Sequence, residues 1–257
     1  MTVQLFYKKV NELIELRRKF ALCTVTKTQG STPRKEGSKM IVLEDGSIYG
    51  TVGGGAIEYD VIEKAKENLQ KNISQSYDFE LKEDLNMACG GRMQVFIEIY
   101  NVAPQLMIFG AGHIGSFLAQ LTPKFGFENV LIDNRQEVFE NKHFENTKIV
   151  NMPYQQAFEQ LSFDENTYIC VLTHNHQFDK EVASYCLKQS FRYIGIISSL
   201  AKTKEIARFL KLEHSISDEL ISKIDMPIGI PFNAQTPEEI AISILAKLID
   251  VKNSLEG

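Results

Sequence analysis

LMIFGAGHIGSFLAQL, residues 106–121, decides the fold class of the second half of this chain. Gly110, Gly112 and Gly115 form a GxGxxG motif directly after an apolar run, and apolar residues then recur with the spacing of one helix face. In a strand–turn–helix unit of this kind, the first glycine permits a tight turn and the second lets a pyrophosphate approach the backbone. The third allows the helix to pack closely on the sheet. The stretch therefore predicts a Rossmann-type unit.

An acidic residue stands where the ribose of a nucleotide would need a hydrogen-bond acceptor. Asp133 ends the run NVLID, about 20 residues after the glycines, and would accept from the ribose hydroxyls of an adenosine half. Because a carboxylate repels a 2′-phosphate, we expect NAD or another nucleotide with an unphosphorylated ribose rather than NADP, although Arg135 close by weakens that preference. His113 lies inside the motif, either as a ligand contact or as tolerated surface.

The apolar pattern changes at about residue 103. Residues 1–103 alternate helix and strand signals as a mixed α/β domain, with Asp45 and Gly46 as a hairpin turn. Residues 104–257 alternate short apolar strands with amphipathic helices, which predicts an α/β Rossmann-like domain with a doubly wound parallel sheet. Thr236, Pro237 and Glu239 predict a capping box at the start of the last helix. The strand candidates of this half are residues 106–109, 129–132, 148–150, 168–172 and 193–197.

Composition and charge exclude several classes of partner. The chain has 257 residues and a formal net charge of -5, whereas nucleic acids and anionic membranes bind concentrated positive charge. No run approaches the ~20 apolar residues of a membrane span, and the N-terminus is typical of an amphipathic helix rather than an export signal. Four cysteines without a CxxC pair favour a reducing cytoplasm. We expect a cytoplasmic protein that binds neither nucleic acid nor membrane.

The second half shows an incomplete set of dehydrogenase groups. Its one cluster, THNHQFDKE, follows the fourth strand and places His174, His176 and Asp179 at the carboxyl end of the sheet, where ligands bind in open α/β sheets. The two histidines and the carboxylate could hold a metal ion. The interpretation that we favour is a loop in which Asp179 caps the following helix. His174 remains a candidate site residue.

Two loops of the first half have the composition of anion-binding segments. QGSTPRKEGSKM, residues 29–40, carries Arg34, Lys35 and Lys39 against a single acid in an otherwise acidic protein, which suits a phosphate. Three consecutive glycines, residues 53–55, precede a helix, so their N–H groups are available to an anion or to the edge of a heterocycle. Simple turn chemistry is the alternative explanation of the triple glycine.

The segment MACGGRM contains a cysteine in unusual company. Cys89 precedes Gly90 and Gly91, which remove steric cover from the sulfur, and Arg92 follows closely. An arginine lowers the pKa of a nearby thiol, and an accessible thiolate is a ligand for soft metals and a sulfur carrier. A lone cysteine is otherwise a small core residue. We favour a functional Cys89 as a metal ligand.

Seven segments in order resemble the XdhC/CoxI family, closer to its XdhC branch. They are ALCTVTKTQGSTPRKEGSKMIV, GTVGGGAIE, MACGGRMQVFIE, IFGAGHIG, THNHQFD, YIGIISSLAKT and PIGIPFNAQTPEEIAISILAKLI. The resemblance implies an accessory protein of a molybdenum hydroxylase such as xanthine dehydrogenase. Such a protein binds the molybdenum cofactor (molybdopterin), protects it during sulfuration by a cysteine desulfurase and inserts it into the apo-enzyme. It also implies a homodimer.

The resemblance implies that Cys89 lies near the molybdenum and that the loops around residues 31–34 and 53–58 lie at the pterin. The Rossmann glycines and Asp133 keep the nucleotide-binding role that their motif predicts. We expect a cofactor-insertion chaperone with little or no turnover of its own. An NAD-dependent oxidoreductase, in which His113 or His174 handles the proton, and a nucleotide-sensing regulator are the alternatives. The residues expected to bind a cofactor are Ser31, Thr32, Arg34, Lys39, Gly53, Gly54, Gly55, Glu58, Cys89, Gly90, Gly91, Gly110, Gly112, His113, Gly115, Asp133 and His174.

Overall fold

The structure, a computed structural model, describes residues 2–80 and 91–254. The chain divides into two compact units, Met1–Val102 and Ala103–Gly257. We call them the front unit and the rear unit.

The front unit is an antiparallel sheet of five strands with two helices. The strand order is β3-β2-β1-β5-β4. Its elements are α1 Val3–Glu15, β1 Phe20–Gln29, β2 Lys39–Leu43, β3 Ile48–Gly50, α2 Gly55–Lys71, β4 Gln75–Glu80 and β5 Arg92–Tyr100.

Alternation along β1 explains why both faces of this sheet are covered. Phe20 and Leu22 pack with buried residues of α1, whereas Ala21, Cys23 and Val25 pack with the apolar stripe of α2. The β2–β3 hairpin turns at residues 44–47, where the Asp45 carboxylate accepts from the Ser47 N–H at 2.9 Å and Gly46 is left-handed. The predicted hairpin is therefore confirmed.

The rear unit is a parallel sheet of six strands in the order β11-β10-β9-β6-β7-β8. The five predicted strands are present, and the two-residue β11 is the one that sequence periodicity missed. The elements are β6 Gln105–Phe109, α3 His113–Leu121, β7 Glu128–Asp133, β8 Thr147–Asn151, α4 Tyr154–Phe158, β9 Thr167–Val171, α5 His176–Cys186, β10 Tyr193–Ile196, α6 Leu200–His214, α7 Asp218–Ser222, β11 Ile224–Asp225 and α8 Pro237–Asn253, with a 3-10 turn at Thr122–Phe125.

The order of these strands fixes where a ligand would enter. β6 and β9 are neighbours, yet α3 packs into the apolar cluster on one face and α5 into the cluster on the other. The connections therefore diverge at the carboxyl ends of β6 and β9, which is the topological switch point of an open α/β sheet. This confirms the doubly wound Rossmann fold.

The last helix begins as its sequence predicts. The Thr236 hydroxyl accepts from the Glu239 N–H at 3.2 Å, and the Glu239 carboxylate accepts from the Thr236 N–H at 3.1 Å. α8 then buries residues such as Ile244 and Leu248 in the cluster that also holds Leu118 of α3. None of the helices described here is long and apolar enough to cross a membrane.

Candidate functional site

Gly110, Gly112 and Gly115 belong to the turn from β6 into α3, which we call the rear loop. The structure shows a different reason for glycine at each of these positions. A Cβ on Gly110, whose φ is +115°, would lie 2.2 Å from the Leu172 carbonyl oxygen, and a Cβ on Gly115 would lie 1.9 Å from the Gly110 carbonyl oxygen. A Cβ on Gly112 would meet nothing within 4 Å. Close backbone packing therefore requires Gly110 and Gly115, whereas Gly112 borders open space at the start of α3.

Asp133 lies at the carboxyl end of β7 and is fully buried. Its carboxylate accepts from the Ala111 N–H at 2.8 Å and from Nε and Nη2 of Arg135 at 3.0 and 2.9 Å. Burial raises the pKa of this carboxyl, but the bonds from Arg135 and Ala111 outweigh it and hold the pKa below its ordinary value. Asp133 thus ties the glycine loop to β7, and its ribose-binding role stays a prediction.

The histidine cluster differs from the favoured interpretation, because Asp179 does not cap α5. Asn175 is the N-cap and accepts from the Gln177 N–H at 2.9 Å, since its short side chain stands directly before the first helical residue. Asp179 is fully buried and accepts from the Thr173 hydroxyl at 2.6 Å. Its other oxygen lies 3.1 Å from Nδ1 of His176. The prediction of an Asp179 cap is wrong.

This arrangement orients one imidazole. His176 Nδ1 faces the buried Asp179 carboxylate, and Nε2 contacts Nζ of Lys202 at the start of α6. Burial raises the pKa of Asp179 despite the bonds from Thr173 and His176. The two other candidate histidines, His174 and His113, are exposed. The His174 ring lies 5.4 Å from the Phe178 ring, measured between centroids, and His113 is the first residue of α3. Of these three histidines, His176 is the one whose ring is held in one orientation, by side-chain partners on both of its nitrogens.

Within residues 2–80 and 91–254, no three His, Cys, Asp or Glu side chains converge as ligands for a metal ion. Cys89, the predicted metal ligand, and Gly90 lie outside the described residues; Gly91 is described and is buried just before β5. The three described cysteines, Cys23, Cys170 and Cys186, are buried and free. Burial raises the pKa of Cys23 to about 12, so that thiol stays protonated at neutral pH.

The front unit contains a cavity of about 420 Å³ beside the basic loop. Arg34 and Lys39, two predicted phosphate ligands, line it together with Thr51, and α1 adds Phe6 and Tyr7. Lys39 Nζ also donates to the Thr24 hydroxyl at 3.0 Å. The cavity thus joins cationic groups to aromatic surface, the composition that suits a phosphorylated heterocycle.

Two other candidates from the basic loop do not belong to the described lining of this cavity. Ser31 is exposed, and the Thr32 hydroxyl donates to the Arg34 carbonyl oxygen at 2.9 Å. The one acid of the loop, Glu36, accepts from the Thr28 N–H at 3.0 Å and ties the loop to β1. These bonds shape the loop, because short polar side chains bond to neighbouring backbone groups.

The triple glycine lies against this loop. The space expected to hold an anion beside it is filled by a side chain of the front unit. A Cβ on Gly53 would meet Pro33 and Ile57, while Gly54 and Gly55 are left-handed, with φ values of +80° and +61°. Glu58 accepts from the Gly54 N–H at 3.2 Å and from the Thr51 hydroxyl. Glu58 therefore fills the position at the N-terminus of α2 that an anionic ligand was expected to take.

Sequence reasoning missed the contribution of α1 to the cavity and the contact of His176 with Lys202. Tyr7 is about half exposed on a helix that otherwise serves the core, and this exposed aromatic residue was the available signal. Lys202 gave no signal, since it meets His176 only through the packing of α5 and α6.

Comparisons with known proteins cover both units. The family model described as the XdhC Rossmann domain matches residues 106–248, and the model of the XdhC and CoxI family matches residues 13–80. A protein of known structure from Bacillus halodurans, described as a xanthine dehydrogenase, is similar at a TM-score of 0.53 and 23% identity, over 95% of each chain. At that identity the likeness concerns the fold.

Two curated relatives extend over almost the whole chain. The uncharacterized protein YqeB of Escherichia coli is 31% identical over 98% of this chain, which spans about half the length of that relative, 47%. A Bacillus subtilis protein, whose name describes it as one probable component of a xanthine dehydrogenase, is 22% identical over 96% of this chain and 97% of its own length.

Proposed function

The chain belongs to the XdhC and CoxI family, and from that membership we propose that it is an accessory protein of a molybdenum hydroxylase of the xanthine dehydrogenase type. In this role it binds the molybdenum cofactor, protects it during sulfuration by a cysteine desulfurase and inserts it into the apo-enzyme. The name of the Bacillus subtilis relative supports the link to xanthine dehydrogenase.

The observation that carries the proposal is the cavity lined by Arg34, Lys39 and Tyr7. Molybdopterin combines a flat heterocycle with a phosphate, and when bound it supplies the dithiolene that holds molybdenum. Arg34 and Lys39 would hold the phosphate by charge-assisted hydrogen bonds, and the aromatic residues of α1 would cover the ring. The volume falls within the range of small-molecule sites.

Cys89 would contact the molybdenum end of the bound cofactor as a thiolate ligand. A thiolate is the soft ligand that molybdenum chemistry calls for, and the other cysteines, all of them described, are buried. The role assigned to Cys89 rests on its sequence context and on the family. It is therefore the part of the proposal that needs its own variant.

The first experiment measures cofactor retention. Protein purified from cells that make the cofactor is compared with Cys89→Ala, Arg34→Gln and Lys35→Gln by pterin fluorescence and molybdenum analysis. We expect Arg34→Gln to weaken retention about tenfold or more, because a charge-assisted bond is lost. Lys35→Gln is the matched control, since Lys35 is an exposed cation of the same loop outside the described lining of the cavity. Equal retention by Arg34→Gln and Lys35→Gln would contradict the assignment of the cavity.

The second experiment measures delivery. Loaded protein is mixed with apo-xanthine dehydrogenase, with and without a cysteine desulfurase, and hydroxylase activity is followed. We expect activation that requires the loaded protein and falls with Cys89→Ala. Activation by free cofactor at the same rate would exclude insertion. Light scattering of the same preparation tests the expected homodimer.

A second candidate function is that of a nicotinamide-linked oxidoreductase, favoured by the pair His176 and Asp179. With Lys202 displaced from Nε2, His176 would take the proton of a substrate hydroxyl, Asp179 would orient the ring through Nδ1, and the cofactor would accept the hydride. Removing the imidazole with His176→Ala should then abolish turnover while His174→Ala retains it. Absence of any hydride transfer from a panel of alcohols and hydroxy acids would rule out this function for those substrate classes.

A further inference from the structure

The carboxylate expected to bind a ribose hydroxyl already has strong partners. Asp133 is fully buried, and both of its oxygens accept from the Arg135 guanidinium, one of them also from the Ala111 N–H. A ribose hydroxyl would have to compete with a bidentate charged pair, which is stronger than a neutral hydrogen bond. The acceptor that favours an unphosphorylated ribose is therefore neutralised.

Arg135 keeps donors for a ligand. A guanidinium has more N–H groups than the two that point at Asp133, and the side chain of Arg135 is 28% exposed. Arg135 stands two residues beyond the end of β7, the strand end at which the ribose of a dinucleotide binds in this fold.

A second cation reaches the same loop. Lys142, on the connection from β7 to β8, donates from Nζ to the Ser116 hydroxyl at 3.0 Å. That hydroxyl donates to the Ala111 carbonyl oxygen at 2.8 Å, within the glycine loop itself. Two cations therefore lie close to the glycine loop, and the N-terminus of the nine-residue α3 adds partial positive charge.

A buried hydroxyl nearby has no partner. Tyr154 is 1% exposed, and its OH is among the few buried side-chain polar atoms of the described chain without a hydrogen-bond partner. Burial raises the pKa of Tyr154, as do the charges of Asp133 and Asp179, while Arg135 opposes them, so the hydroxyl lies within the field of these groups. A buried donor without a partner is uncommon, so this end of the sheet, beside Asp133 and Arg135, is one at which the protein leaves a hydrogen bond unmade.

We infer that the crevice of the rear unit binds a nucleotide with a phosphate on its ribose, which Arg135 and Lys142 recognise. Gly112 supports this site, since its open side lets a pyrophosphate approach the backbone. The assignment reverses the preference for NAD that the carboxylate of Asp133 suggests in the sequence. It goes beyond the proposed accessory function and does not depend on it.

The test uses full-length protein from cells that lack the molybdenum cofactor, so its outcome is separate from that of the proposed function. Calorimetry measures NADPH against NADH, and 2′,5′-ADP against 5′-AMP. We expect the ligand with the ribose phosphate to bind at least about tenfold tighter in each pair. The shorter pair shows whether the preference comes from the phosphate alone. Equal affinities within a pair, or no binding of any of the four at millimolar concentration, would overturn the inference.

Variants assign the preference to its residues. Arg135→Gln should abolish it, but that change leaves Asp133 without its charged partner, so its thermal unfolding is measured in parallel. Lys142→Gln removes an exposed cation and should reduce the preference severalfold. Lys148 is an exposed lysine of β8, and Lys148→Gln is the matched control. This variant should change neither the NADPH nor the NADH affinity. A preference that Lys142→Gln and Arg135→Gln both leave intact would refute the assignment of these residues.

Discussion

The triple glycine of the front unit, here called the front loop, and the GxGxxG motif of the rear loop show that glycine-rich loops before helices have different structural causes. Each stands directly before a helix, the front loop before α2 and the rear loop before α3. In the front loop Gly54 and Gly55 are left-handed, and Glu58 fills the space at the helix N-terminus. In the rear loop Gly112 has an ordinary φ of -65° and borders open space.

The comparison separates three structural reasons for which a position requires glycine. One is a left-handed backbone, the second is contact with other backbone, and the third is room for a ligand. The front loop needs glycine mainly for the first cause. In the rear loop, contact with other backbone requires two glycines, one of which is also left-handed. The remaining one, Gly112, has neither cause: it is the N-cap of α3, a position that favours glycine, and the open space beside it is room in which a ligand could lie.

The largest expected effect tests backbone contact. Gly115→Ala would place a Cβ 1.9 Å from the Gly110 carbonyl oxygen, and neither backbone segment can yield without moving a strand or a helix. We expect a loss of at least about 3 kcal/mol in the free energy of unfolding, measured with urea. Gly53→Ala is the front-loop control: its Cβ would lie 2.8 Å from Ile57 Cγ2 and 3.0 Å from Pro33 Cγ. These contacts are longer and involve side chains rather than backbone, so a smaller loss of about 1–2 kcal/mol is expected. Equal losses would erase the distinction between the loops.

The fold of the rear unit could be predicted because its signals are local. The glycines, the apolar strand and the helical spacing lie within residues 106–121, and no long-range contact is needed to interpret them. β11 was not predicted because a strand of two residues is too short to show an alternating apolar pattern. The basic loop was predicted from charge density alone, and Arg34 and Lys39 do line one cavity.

The site details could not be predicted where they depend on contacts between distant elements. Lys202 reaches His176 across 26 positions of sequence, and α1 reaches the cavity only after packing on β1 and β2. Asp133 followed the expected spacing, yet the same pattern does not say whether its carboxylate faces a ligand or Arg135. Spacing predicts position, and tertiary packing then decides which partner each group meets.

A second prediction compares two buried carboxylates of the rear unit, whose pKa values move in opposite directions. Asp133 has a lowered pKa, so the unfolded chain binds its proton more tightly and the stabilisation is lost as pH falls below 3.8. Asp179 has a raised pKa, so its contribution is present below 3.8 and is lost as pH rises through the folded-state value.

Asp133→Asn and Asp179→Asn keep the side-chain shape and remove the titration. At neutral pH we expect Asp133→Asn to cost about 1–3 kcal/mol, because Arg135 loses a charged partner. That cost should shrink as pH falls through 3.8, whereas the cost of Asp179→Asn should shrink as pH rises above 3.8. Urea unfolding over a pH series measures both. Parallel curves for the two variants would contradict the opposite environments.

A third, smaller effect tests the filling of the front loop. Glu58→Ala removes the acceptor of the Gly54 N–H and the Thr51 hydroxyl, and both groups can turn to water, so about 1 kcal/mol is expected. The same variant should bind sulfate at the N-terminus of α2, because the position becomes open. Glu58→Gln, which keeps an acceptor, is the control. Sulfate titration followed by NMR would show whether Glu58 and an external anion exclude one another.

The smallest effect on stability is expected at Gly112, and it separates ligand binding from folding in the rear loop. The φ of -65° is accessible to alanine, and a Cβ there meets nothing within 4 Å. Alanine is a poorer N-cap than glycine but lowers the entropy of the unfolded chain, so the change in unfolding free energy should stay within about 0.5 kcal/mol. A methyl group at the open side should nevertheless obstruct a pyrophosphate and weaken nucleotide binding about tenfold or more. Urea unfolding and calorimetry on the same preparation measure both quantities, and unchanged nucleotide affinity in Gly112→Ala would mean that the open space is not a binding position.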